Sequence, residues 1–254
     1  MKKGKLFLLA IVLLPSYVLA WSNPGDDFSG QLTIGGKVTN NKNPWLWKVG
    51  KATGEINVKV KKQPRNSQIF IPVRLPALTV LLGKTTQSTP VGRDGLAPLV
   101  TYGKGVEGFS INWISSGVAS VAAPVTCDSI KCEGKLTFQI QSAAVLREFK
   151  GNNPSYSGIY ADMQSNGYPS QMQMMSEKLI PGFLKTVFAG EGPSWIQDIK
   201  VTGYTGLSRF NDSSVRLIEG IYGAKIIPDS GRLYLKDVQD VRWRVSIPVY
   251  IEYR

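Results

Sequence analysis

Along residues 243–254, WRVSIPVYIEYR, apolar and polar positions alternate with a period of two. Trp243, Val245, Ile247, Val249, Ile251 and Tyr253 fall on one face, and Arg244, Ser246, Pro248, Tyr250, Glu252 and Arg254 on the other. The spacing predicts one strand with a single buried face, the pattern of any half-buried strand. Pro248 lacks a backbone donor, so a free or exchangeable edge is expected at that position. Residues 28–38 alternate in the same way. Phe28, Gly30, Leu32, Ile34, Gly36 and Val38 share a face, behind a polar lead, NPGDD, at 23–27. Its glycines weaken it as a self-sufficient core strand. Between these two stretches, runs rich in Val, Ile and Thr are separated by frequent turn signals. With 26 Gly and 15 Pro, the chain reads as mainly β, of sandwich type.

The strand rhythm breaks at about residues 143–216. NNPSY at 152–156 and GYPS at 167–170 read as loops. Met172, Met175, Leu179, Phe183 and Val187 then fall near helical spacing, interrupted at Pro181-Gly182, which predicts two short helices. The methionine stripe reads as core packing. Strands resume at 218–227 and 233–238.

Residues 1–20 read as a secretion signal: Lys2, Lys3 and Lys5, an apolar run at 6–14, Pro15, then small residues before Trp21. Export is therefore expected. Loss of the signal takes the net charge from +12 to 12 − 3 = +9. The positive residues are spread along the chain rather than gathered in one block. Their densest run, KVKKQPR at 59–65, reads as a strand end and its turn, which argues against nucleic acid as a partner. In an exported chain the close pair Cys127 and Cys132 reads as a disulfide clamping one hairpin loop. There is no histidine, so Ser-His-Asp and Cys-His catalysis and nearly all zinc chemistry are excluded. The GKGVEG run at 103–108 leads into a strand rather than a helix, which makes it a turn and not a dinucleotide loop. None of the 18 acidic residues stands in a suggestive setting, so neither an enzyme nor a cofactor or metal site is expected.

Four stretches carry a resemblance: DFSGQLTIGG at 27–36, WLWKVG at 45–50, LLGK at 81–84 with TPV at 89–91 and DG at 94–95, and the tail from Trp243 to Tyr253. Through them the chain resembles the subunits of Fae-type fimbriae, the kappa class of chaperone–usher pili. The resemblance implies an incomplete immunoglobulin-like sandwich completed by a donor strand, with a partly helical insertion at about 143–216. It implies a signal peptide at 1–20, a donor-strand extension at 21–39 and a pilin-type domain at 40–254. A periplasmic chaperone fills the groove first, and at the outer-membrane usher the extension of a neighbouring fimbrial subunit replaces it. On this reading Phe28, Gly30, Leu32, Ile34, Gly36 and Val38 are donated. Val245, Ile247, Val249, Ile251 and Tyr253 line the acceptor groove. The disulfide, shorter mature length and basic balance set the chain apart from the major adhesive subunit, so a minor structural subunit contributing to adhesion is expected. The rival is a carbohydrate-binding adhesin that recognises a host glycan through the insertion, with Tyr156, Tyr160, Tyr168 and Trp195 as contacts.

Overall fold

The computed structural model describes residues 43–51, 56, 69–128, 133–236 and 242–254. In chain order the strands begin with β1 (Trp45–Val49), β2 (Ile69–Val73), β3 (Thr79–Thr85), β4 (Thr89–Val91) and β5 (Pro98–Tyr102). Next come β6 (Ser110–Ser115), β7 (Val118–Pro124), β8 (Thr126–Cys127), β9 (Gly134–Lys150) and β10 (Asn153–Tyr160). One helix, α1 (Ile180–Phe188), precedes β11 (Val201–Gly206), β12 (Arg216–Ile226), β13 (Gly231–Leu235), β14 (Trp243–Arg244) and β15 (Val249–Tyr253). The mainly β sandwich expected from the alternating runs is what forms.

The 17-residue β9 is the spine. Its first half pairs with β13 and β7, and its second half with β12 and β10. The sequence shows why the halves differ. GKLTFQIQ alternates, so Leu136, Phe138 and Ile140 are buried while their neighbours are not. SAAVL at 142–146 is buried without a break, the signature of a strand covered on both faces. Ala144 and Leu146 enter the main core, which also holds Trp45, Val100, Tyr102, Phe210 and Tyr222. Ala143 and Val145 enter a second core under α1 with Leu184, Val187, Trp195 and Ile221.

The stretch expected to break the strand rhythm is therefore more regular than its sequence suggests. β9 runs on to Lys150, and NNPSY, read as a loop, supplies the turn and first half of β10. Irregular structure starts only after Tyr160. Two helices were expected with an interruption at Pro181-Gly182, but Pro181 sits in the first turn of α1, where its missing N–H costs nothing. Ala189 ends the helix in the left-handed region, followed by Gly190. The other expected helix is a three-residue 3-10 turn, Gln171–Gln173. The methionine stripe splits accordingly: Met175 is buried, whereas Met172 is 97% exposed.

α1 packs through Leu184 and Val187 against Gly223 of β12, where a Cβ would lie 3.2 and 3.4 Å from their side chains. On the opposite face of β12, Gly220 leaves room for Trp45 and Phe210, 2.6 and 2.7 Å from where its Cβ would stand. One strand thus receives a helix on one side and a tryptophan on the other.

Candidate functional site

The C-terminal alternation forms two short strands rather than one. β14 pairs with β8, with Trp243 opposite Cys127, and β15 pairs antiparallel with β5, with Val249 opposite Tyr102 and Tyr253 opposite Pro98. Backbone bonds fix which edge of β15 is occupied. Ala97 and Arg254 exchange both bonds, and the Gly103 N–H donates to the Pro248 carbonyl at 2.8 Å. Bonding positions alternate in an antiparallel ladder, so residues 248, 250, 252 and 254 point their backbone groups at β5. Val249, Ile251 and Tyr253 point theirs at the opposite edge, where no described strand pairs.

Pro248 was expected to mark a free edge. Its missing donor lies instead on the β5 side, so the outer edge of β15 keeps its N–H groups. The far edge of β5 shows the same parity. The Gly167 N–H and Ser165 hydroxyl donate to the Val100 carbonyl. Asn166 exchanges hydrogen bonds with the N–H and carbonyl of Tyr102. Among the described residues, β5 is thus covered on both sides and β15 on one.

The inward residues Val245, Ile247, Val249 and Ile251 pack on the main core yet remain only half-buried, like Trp243. Tyr253, at the end of the row, is 36% exposed, and its hydroxyl accepts a hydrogen bond from Trp47 Nε1 at 2.9 Å. Trp45, two residues back on the same face of β1, donates from Nε1 to the Leu96 carbonyl and stacks on Trp47 at 5.1 Å. β1 and the end of β15 are joined there.

Behind this junction lie three buried tyrosines. The Tyr102 and Tyr222 hydroxyls are 2.9 Å apart, Tyr222 donates to the Gly167 carbonyl, and Tyr168 donates to the Pro98 carbonyl. Burial raises the pKa of all three phenols, and the neighbouring Tyr222 raises those of Tyr102 and Tyr168 further. Unfolded tyrosines ionise near pH 10. Because the folded values lie above that, the stabilisation is fully present below about pH 10 and is lost as the pH climbs past it. Denaturant titrations from pH 7 to 12 should show stability flat to about pH 10 and then falling, with part of the tyrosinate absorbance appearing only on unfolding. An absorbance change complete before any loss of fold would contradict this.

The candidate glycan contacts do not gather. Tyr156 and Trp195 meet at 5.7 Å, both buried in the second core. Tyr168 belongs to the main core, and Tyr160 ends β10, half-buried. The donor residues Phe28, Gly30, Leu32, Ile34, Gly36 and Val38 lie outside the described residues, as does Cys132, and with it the expected Cys127–Cys132 bridge. Among the described residues no group of three His, Cys, Asp or Glu side chains converges on a metal position. Sequence reading missed the Trp47–Tyr253 bond, because nothing along the chain relates positions 206 residues apart.

Comparison with known proteins decides the family. A family model described as fimbrial, major and minor subunit, of the K88 type, matches residues 1–254. The chain belongs to this fimbrial subunit family. The K88 minor fimbrial subunit FaeI of Escherichia coli is 52% identical over 254 residues, covering 100% of both chains. Membership gives a structural rather than enzymatic protein, a place in the cell-surface fimbrium, and association with other fimbrial subunits and the assembly machinery. As the Fae-type motifs implied, the mainly β architecture is that of a fimbrial subunit.

Proposed function

We propose that this protein is a minor structural subunit of a surface fimbria, assembled by strand exchange at the outer edge of β15. The observation that carries this reading is an edge with no strand partner among the described residues, beside a half-covered row, Val245, Ile247, Val249 and Ile251. An added strand gains backbone bonds from the edge and places alternate side chains over that row. Residues 28–38 of a neighbouring subunit of the same type suit the role. Burying Leu32, Ile34 and Val38 over that row would contribute about 4.5–9 kcal/mol gross, at roughly 1.5–3 each. A periplasmic chaperone holds the edge first, and exchange takes place at an outer-membrane usher. The contribution to adhesion is that of a fibre component. The glycan reading draws no support from the inserted region, where Tyr156, Tyr168 and Trp195 are packed against protein.

The Cys127–Cys132 bridge belongs to the same proposal. Cys127 pairs with Trp243 on the strand that leads into β15, so a bridge there steadies the start of the acceptor row. Closing so short a loop contributes about 2 kcal/mol.

The test uses the chain without residues 21–38, purified from the periplasm with its chaperone, plus a synthetic peptide of residues 28–38. Displacement of the chaperone and a melting point raised by tens of degrees are expected. A stable truncated monomer indifferent to both chaperone and peptide would sink the reading.

A further inference from the structure

Resting on the strand-acceptor reading, we infer that the Trp47–Tyr253 junction is an end stop that sets the register of the inserted strand. Tyr253 is the last inward-facing residue of β15, and Trp47 already holds its hydroxyl. The Trp47 ring is confined. It stacks on Trp45 at 5.1 Å and lies 5.9 Å from the Tyr222 ring. It also covers Gly83, where even a Cβ would stand 2.2 Å from it. The indole therefore has no room to retreat into the sheet, and the row that accepts side chains ends at Ile251. An incoming strand has space opposite Tyr253 for a residue without a side chain.

Residues 28–38 offer two such residues on the apolar face, Gly30 and Gly36. Antiparallel pairing is the more stable arrangement. With Gly30 opposite Tyr253, antiparallel pairing puts Leu32 at Ile251, Ile34 at Val249, Gly36 at Ile247 and Val38 at Val245. Three of the four large donor side chains then meet the half-covered row, and Phe28 passes beyond the stop. A slip of one residue would turn the apolar face outward, so the competing registers differ by two. The stop selects among these. Trp47 and Tyr253 are thus specificity-determining residues for the partner strand, acting by exclusion.

The test mixes full-length copies. An acceptor copy carries Val249→Cys, and donor copies carry Gly30→Cys, Leu32→Cys, Ile34→Cys or Gly36→Cys. Intermolecular disulfides are counted against an acceptor with Val249 intact. The expected result is one dominant crosslink, to Ile34→Cys, with the other positions at least tenfold weaker. Adding Tyr253→Ala, at an exposed position, or Tyr253→Phe, which keeps the ring, should spread crosslinks to Leu32→Cys or Gly36→Cys. A dominant crosslink elsewhere in the unaltered background overturns the assigned register. An unchanged single position in both Tyr253 variants overturns the stop. Crosslinks at no position defeat strand exchange itself, and the stop with it.

Discussion

Replacing Val249 by proline is expected to reduce incorporation into surface fimbriae to background while leaving the subunit folded. The reason is parity. The Val249 N–H points away from β5, so proline at that position removes a donor from the outer edge and none from the β5–β15 ladder. The side chains are similar in volume and the residue is only half-buried, so the folded body should lose about 1 kcal/mol or less. The adjacent substitution Tyr250→Pro reverses the pattern. Tyr250 is 48% exposed, yet its N–H faces Thr101 across the ladder. Losing that bond strands a carbonyl and costs about 1–3 kcal/mol, while the donors of the outer edge survive. Fimbriae sheared from cells, probed for the subunit, report incorporation, and melting curves of the purified protein report stability. Equal effects of the two prolines on both readouts would show that the outer edge of β15 has no part in assembly.

The second large effect concerns Trp45. Its ring is 8% exposed, stacks on Trp47, meets Phe210 edge-on at 5.6 Å and donates to the Leu96 carbonyl. Trp45→Ala should cost about 3–5 kcal/mol, from lost burial and the cavity left over Gly220. Trp45→Phe should retain most of the packing and lose the hydrogen bond, about 1 kcal/mol. Denaturant titrations of the two variants separate the terms. A Trp45→Ala loss under 1 kcal/mol would mean that β1 is not anchored through this ring.

The alternating C-terminal row could be read from the chain because a strand repeats every two residues and the inward set stays apolar. Helix α1 was partly legible through Phe183 and Val187. Three things were not. The break between β14 and β15 depends on which neighbour each half meets. The side on which Pro248 lacks its donor depends on ladder register. The burial of Tyr156, Tyr168 and Trp195 depends on which elements pack over them. NNPSY misled because only its first Asn, Asn152, lies in the turn with Gly151, while Asn153, Pro154, Ser155 and Tyr156 already pair with Lys150, Phe149, Glu148 and Arg147 of β9. Met172 and Met175, three residues apart, differ because the first lies in a 3-10 turn facing solvent and the second under the sheet.

The Leu96 neighbourhood has a mechanical consequence. Asn43 donates to the Gly95 carbonyl, Trp45 to Leu96, and Ala97 exchanges backbone bonds with Arg254. Under the proposed strand exchange, force on a fibre would enter each subunit body just ahead of β1 and leave along β15. These contacts place the two ends of that path within three residues of one another, at 95–97. Pull would then be carried by a short bracket loaded in shear, many bonds sharing it at once, while β9, the second core and α1 would stay out of line. On that proposal, α1 and its surroundings could change in sequence without weakening the fibre, whereas a change at residues 43–45, 95–97 or 249–254 would alter how hard the organelle can be pulled before it parts.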